Sequence, residues 1–241
     1  MTVSTDGWPG LDRREPPRGL PSWSIRRPLA DWLRDEAARA GERHERARVL
    51  DVGCGVKPYF PLFADAASEY VGVDVQENPL ADVHGAVEAL PLPDASFDIV
   101  LCTQVLEHAD DPAQAVRELY RVTAPGGRVL ASTHGVMVYH PNPVDLWRWT
   151  HAGLERLFEA NGQWASVDVR AGAGTTACLG MLVATYVHLL AKRAHVARTV
   201  RPAVSLVNAL SAAIDRRVAA LREPIPGSLA ANYHVVAERA A

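Results

Sequence analysis

The stretch Arg48-Val49-Leu50-Asp51-Val52-Gly53-Cys54-Gly55 decides the fold. An apolar run that ends in an acid and then G-C-G reads as a buried strand breaking into a ligand-binding turn, because glycine tolerates positive φ and lets backbone approach a ligand with no Cβ in the way. A second acid closes another short apolar run, Tyr70-Val71-Gly72-Val73-Asp74, 23 positions after Asp51. In open α/β sheets the ligand crevice lies outside the carboxyl ends of the strands, and an acid ending the second strand can accept both ribose hydroxyls of a nucleoside. Asp74 takes that role, with Val75 beside it. A dinucleotide fingerprint would need G-x-G-x-x-G, and Pro58 stands where the third glycine should let helix and strand pack closely, so NAD is the weaker ligand.

Outward from this turn, short β-like runs alternate with helical stretches, which predicts a parallel, doubly wound sheet. Strands are expected at 49–52, 70–73, weakly near Val83, at 97–102, 128–132 and 166–170, with 233–237 closing the sheet. Ile25, Leu29, Trp32, Leu33 and Ala37 recur at helical spacing and predict an N-terminal helix with one buried face. Residues 112–122 have a clear start, an Asp cap followed by Pro in the first turn; residues 152–161 form another helix, ended by Asn161-Gly162. Residues 1–22, rich in Pro, Gly and Arg, read as a flexible arm, and 23–241 as a single domain. Trp23 is read either as part of a lid over the ligand or as an aromatic anchor of the helix.

With 241 residues, 48% hydrophobic and 22% charged, the chain has the composition of a soluble globular domain with a sizeable core. Its formal net charge of −3 gives no global attraction to nucleic acid. Cys54, Cys102 and Cys178 are odd in number and lack metal-ligand spacing, so neither a disulfide scaffold nor a metal site is expected. The N-terminus has no apolar core of a secretory signal, and a reducing cytoplasm is the default.

The motifs together resemble the class I S-adenosylmethionine (SAM) dependent methyltransferases, in particular a type 11-like bacterial branch of small-molecule tailoring enzymes. The first motif of that family is an acid followed by x-G-x-G, and the second an acid ending the next strand. Residues 88–98, Glu-Ala-Leu-Pro-Leu-Pro-Asp-Ala-Ser-Phe-Asp, resemble its E-A-L-P-F-P-D-x-S-F-D segment; Leu106-Glu107-His108 resembles its L-E-H turn, and Pro125-Gly126-Gly127 its P-G-G entry to strand five. Motifs in this order are far more specific than one glycine loop. The resemblance implies a Rossmann-like, seven-stranded, mostly parallel sheet with an N-terminal helix, SAM as cofactor, and a cofactor site drawn from Asp51, Gly53, Cys54, Gly55, Asp74, Val75, Val87, Glu88 and Gln104. Asp51 is read either as a ligand to the methionine ammonium or as an anchor accepting backbone hydrogen bonds. Lys57 stands where many relatives carry glycine, and is read as a solvated loop lysine or as a partner of the methionine carboxylate. Ala86 stands where many carry an adenine-binding Asp, which leaves adenine to the backbone around Val87 and Glu88 or to the Glu88 side chain.

Methyl transfer to a hydroxyl is helped by a general base, and histidine is the usual choice. His108, His134, His140 and His151 follow strands four and five. His108, within the L-E-H turn, is read as an architectural residue or an active-site wall. The stretch 139–150, Tyr-His-Pro-Asn-Pro-Val-Asp-Leu-Trp-Arg-Trp-Thr, resembles the H-P-x-P-x-D-x-W-R-x-T loop of the same branch and sits where an acceptor would face SAM. His140 is the first choice for acid/base contact, with Asp145 orienting it or binding acceptor hydroxyls, and Tyr139, Trp147 and Arg148 shaping the acceptor pocket. The competing reading of the loop is an Asp145–Arg148 ion pair with Thr150 as a helix cap, both merely fixing it.

The chain departs from a minimal member at 175–223, a helical hairpin inserted before the last strand. Helices are expected at 178–191 and 203–221, with seven bases, Lys192, Arg193, Arg198, Arg201, Arg216, Arg217 and Arg222, against Asp215 and Glu223. Such a hairpin can cover the pocket, form a homodimer, or lie on an anionic membrane at its inner face. The expected function is methyl transfer from SAM to a small molecule, a hydroxyl of a sugar or secondary metabolite. The alternatives are N- or C-methylation and a SAM-binding but inactive scaffold; a nucleic-acid substrate is not expected, since no N/D-P-P-Y/F motif is present.

Overall fold

The computed structural model describes residues 5, 7–43, 46–75, 78–141 and 144–241. Seven strands form one sheet in the order β3-β2-β1-β4-β5-β7-β6. They are β1 (Ala47–Val52), β2 (Ala67–Asp74), β3 (Val83–His84), β4 (Phe97–Thr103), β5 (Thr123–His134), β6 (Trp164–Ala171) and β7 (Asn232–Arg239). All neighbours run parallel except β7, which is antiparallel to both β5 and β6. The strand order reverses between β1 and β4, so the crevice expected at a topological switch point opens at the end of β1.

The helices are α1 (Leu11–Arg14), α2 (Trp23–Arg43), α3 (Phe60–Phe63), α4 (Pro112–Val122), α5 (His151–Ala160), α6 (Thr175–Arg193) and α7 (Arg201–Arg217). Because β1 is covered on both sides, it is apolar along almost its whole length rather than alternating. Its successive side chains point to opposite faces. Leu50 and Val52 pack with Val100 and Cys102 against Val116, Leu119, Leu154 and Phe158 of α4 and α5. Val49 packs with Ile99, Leu101 and Leu130 against Leu29 and Leu33 of α2 and Phe63 of α3. The side chain of Asp111 caps α4 by accepting from the N–H of Gln114, with Pro112 at the first position.

Several expectations change, and the helix expected to run to Leu221 ends at Arg217, with a separate 3-10 turn at Ala219–Arg222. β5 starts at Thr123 rather than at Arg128, because Thr123 pairs with Phe97 and the P-G-G turn is taken into the strand as a bulge. A Cβ at Gly127 would lie 2.9 Å from the carbonyl oxygens of both Ala124 and Asp98, so only glycine passes there. The N-terminal stretch, read as a flexible arm, is tethered to the domain at Trp8 and Arg14 and, through Asn208, at Arg18 and Leu20. Arg14 is buried and donates to the carbonyls of Pro58 (2.6 Å), Pro9 (2.8 Å) and Trp8 (3.0 Å). Composition hid this, since a guanidinium that satisfies three carbonyls anchors a segment as firmly as an apolar side chain.

Candidate functional site

β1 delivers the chain to a turn in which Gly53 and Gly55 both take positive φ, 67° and 51°. The N–H groups of Gly53 and Cys54 donate to the carbonyl of Val73 at 2.8 and 3.0 Å, which ties the turn to the end of β2. A Cβ on Gly53 would come within 2.4 Å of Val105 Cγ2, whereas one on Gly55 would meet nothing within 4 Å. One glycine is therefore required by packing and the other keeps a surface bare, the condition for a ligand to approach backbone. Asp74 ends β2 and accepts from the N–H of Gly55 and of Val75, both at 2.8 Å. Its two carboxylate oxygens are thus oriented at the crevice and each retains a lone pair for a diol. This cradle fits the ribose and the amino-acid end of SAM.

The remaining cofactor candidates are placed as follows. Asp51 is buried and accepts from the Tyr70 hydroxyl at 2.7 Å, and burial pushes its carboxyl up to about 7. Its partner is a side chain and not the backbone of the turn. Lys57 departs from both of its readings. Its Nζ is turned under the loop to Asp82, 2.5 Å away, and the side chain is buried. Asp82 also accepts from the N–H of Gly72 at 2.7 Å, so the lysine locks β2 and not a ligand. Glu88 accepts from the N–H of Asp110 at 2.9 Å, and Val87 is buried in the core beneath it. Gln104 takes φ 58° and donates from Nε2 to Ser132 Oγ at 3.1 Å. Burial, with Asp51 and Asp74 nearby, pushes the Cys54 thiol up to about 12, so it stays protonated.

Val105 carries the connection from cofactor loop to acceptor side. It packs on Gly53, and its carbonyl accepts from the N–H of His108 at 2.8 Å. The His108 ring lies 5.4 Å from that of His140, which lies 5.1 Å from that of His134. The sequence analysis grouped four histidines; the structure gathers these three and sets His151 apart, bonded to the carbonyl of Val169. His140 Nδ1 stands 3.2 Å from Asp145 Oδ2, and the backbone N–H of His140 donates to the same oxygen at 3.1 Å. Asp145 also receives Arg148 through both guanidinium nitrogens, at 2.5 and 2.7 Å, which holds its carboxyl well below the usual range. The bland reading of this loop is realised alongside the functional one, since Thr150 does cap α5 by accepting from Gly153 N–H at 3.1 Å. Trp147 donates to the carbonyl of Ala109 at 2.8 Å, and Tyr139 is exposed. Asn142 and Pro143 of this loop lie outside the described residues.

Glu107 is the group that sequence reasoning missed. Its carboxylate is fully buried beneath the histidines, accepts from the Thr133 hydroxyl at 2.8 Å and lies 3.2 Å from His134 Nε2. Burial pushes Glu107 up to about 7 and His134 down to about 3, so the imidazole is uncharged and the contact is not an ion pair. The signal was available: an acid flanked by Leu106 and His108 directly after a buried strand. Among the described residues no group of three or more His, Cys, Asp or Glu is arranged to hold a metal ion.

The lid reading of Trp23 is not realised. Trp23 lines a separate cavity of 710 Å³ between α2, β6, β7 and α7, with the Arg18 guanidinium 5.5 Å from its ring. The segment that reaches the glycine loop is instead 8–14: Trp8 Nε1 donates to the carbonyl of Lys57 at 2.9 Å and its ring packs 4.5 Å from Phe60.

Residues 50–131 match the family model described as "Methyltransferase domain". A probable S-adenosylmethionine-dependent methyltransferase of Mycolicibacterium smegmatis is 38% identical over 130 residues, which cover 47% of this chain and 51% of the relative. A ubiquinone biosynthesis O-methyltransferase of Ralstonia nicotianae is 36% identical over 118 residues, covering 43% and 48%. The chain thus spans about half the length of the curated relatives it matches. Among solved structures, the [4+2]-cyclase SpnF superposes with a TM-score of 0.55 at 20% identity over 88% of this chain and 81% of that one, a likeness of fold alone.

Proposed function

We propose that this chain, matched over residues 50–131 by a methyltransferase-domain family, is a class I SAM-dependent methyltransferase that transfers the methyl group to oxygen of a small molecule, a hydroxyl of the sugar or secondary-metabolite kind. The observation that carries the reading is the continuous path Gly53–Val105–His108–His140, which sets a bare glycine loop and a histidine–carboxylate pair at the same edge of the sheet. Bound SAM supplies an electrophilic methyl on a sulfonium that departs neutral. The protein has then to align an acceptor with it and keep water out.

Asp74 would hold the ribose hydroxyls of the cofactor, and the bare face of Gly55 would admit its amino-acid end. His140 takes the proton of the acceptor hydroxyl as the new bond to carbon forms, and Asp145, fixed by Arg148, orients the ring and places a charge beside it. His134 is held neutral by burial and Glu107 supports it from below. Oxygen as the accepting atom agrees with the O-methyltransferase named among the relatives. Tyr139, Trp147 and Arg148 form the acceptor wall. The test is formation of S-adenosylhomocysteine by the intact chain against a panel of hydroxylated, amino and carbon-acid acceptors. Turnover only with hydroxylated members, lost in His140→Ala, is the expected result.

A further inference from the structure

The helical insertion is built inside out. α7 turns Val204, Asn208, Ser211 and Asp215 to the protein while Leu206, Leu210 and Ile214 face solvent. α6 buries Ala177, Cys178, Met181 and Ala184 and exposes Leu179, Val183, Tyr186 and Leu190. These seven outward residues are each 44–64% exposed, far more than a folding core would leave in water. They recur at i, i+4, i+7 and i+11 on α6 and at i, i+4 and i+8 on α7, one stripe per helix. Each stripe lies opposite the buried side of its helix and so faces away from the domain.

This orientation is fixed by the inward polar groups. Asn208 accepts from Ser24 Oγ at 3.1 Å and donates to the carbonyls of Arg18 and Leu20 at 2.7 and 3.0 Å. Asp215 caps α6 by accepting from the N–H groups of Thr176 and Ala177 at 3.1 and 2.9 Å. Turning the helices over to bury the leucines would strand these groups, so the apolar stripe is left outward by construction.

Charge identifies what covers it. Arg193 extends the α6 stripe and Arg217 the α7 stripe, and Lys192, Arg198, Arg201, Arg216 and Arg222 are also exposed. Of the two acids in 175–223, Asp215 is buried in its cap, leaving Glu223. A second copy of the chain would bring one basic rim against another, whereas an anionic bilayer complements it.

We propose that the outer face of the α6–α7 hairpin docks on an anionic membrane surface, with its leucines at the headgroup boundary and its arginines on lipid phosphates. By length and composition α6 is long and apolar enough to cross a bilayer, yet here it is clamped along the domain by α7 and by the Asp215 cap. The hairpin therefore lies in the interface plane. On its inner side the hairpin packs through Met181 and Leu182 on Val136 and Met137, which lead into the 139–150 loop, so the docking face and that loop are joined through one apolar cluster.

The test is flotation of the full chain, without cofactor, on vesicles of equal parts phosphatidylcholine and phosphatidylglycerol and on phosphatidylcholine alone. Binding only to the anionic vesicles, released by salt, is expected. Arg193→Glu with Arg217→Glu, and separately Leu206→Ser with Leu210→Ser, should each weaken it roughly tenfold or more, with melting temperature and calorimetric SAM binding unchanged. Absence of flotation on anionic vesicles, or equal flotation on both, overturns the proposal. So does a dimer seen by light scattering that Leu206→Ser with Leu210→Ser dissolves while vesicle binding persists. SAM binding is read on the same proteins, so failure of docking leaves the methyl-transfer reading standing.

Discussion

The carboxylate of Asp74 accepts the backbone N–H of Gly55 at 2.8 Å, joining the end of β2 to the turn that follows β1. This bond sets both the shape of the glycine loop and the direction of the acid that reaches the crevice. Removing the acid therefore costs the ligand contact and loosens the loop together.

Asp74→Ala should weaken calorimetric SAM binding by at least roughly tenfold, the value of one charge-assisted hydrogen bond. Asp74→Asn should retain part of it by keeping one acceptor. Affinity equal to wild type in the alanine variant would remove Asp74 from the cofactor site.

His140→Ala should spare SAM affinity and lower turnover by roughly two to four orders of magnitude, the usual yield of a general base. Asp145→Asn should lower turnover less and leave SAM binding alone, since it acts through the orientation of His140. Unchanged turnover in His140→Ala would end the acid/base assignment.

Trp8→Ala deletes the hydrogen bond to Lys57 O and the contact with Phe60, which together hold residues 8–14 on the back of the glycine loop. Faster amide exchange over α1 and several-fold weaker SAM binding are expected, the hydrogen bond alone being worth about 1 kcal/mol. Faster exchange with unaltered SAM affinity would show that this segment does not support the cofactor site.

The buried acids and histidines pull stability in opposite directions. Glu107 has its carboxyl raised from 4.5 to about 7, so between those values the unfolded chain releases a proton that the folded chain keeps. Its contribution is full below pH 4.5 and is lost as pH rises to about 7; Asp51, also raised to about 7, behaves alike. His134 and His234 are lowered from 6.5 to about 3, so their contribution is present above pH 6.5 and is lost as pH falls toward 3. Glu107→Gln should flatten the fall in melting temperature from about pH 5 to about pH 7, a component of at most about 3 kcal/mol. An identical pH profile for variant and wild type would contradict a raised carboxyl at this position.

Much of the fold and part of the site were legible because they depend on neighbours in sequence. The apolar run before Gly53, the acid ending β2 and the Asp111-Pro112 start of α4 each carry their conformational reason within a few residues. The same local logic found the 139–150 loop and the bases of the insertion. It failed where a residue's partner lies far along the chain. Lys57 read as a loop lysine until the fold brought Asp82 beneath it, and Arg14 read as part of an arm until Pro58 met it. Glu107 gained its place only when β4 and β5 were paired, setting Thr133 and His134 around it.

The sequence by itself determined a doubly wound sheet, a SAM-type glycine turn and two helices with apolar stripes before the last strand. Only the tertiary structure decided which way those stripes face. Periodicity shows that a helix has an apolar side, but the side that turns inward is chosen by where its polar groups find partners, and Asn208 and Asp215 find theirs inside.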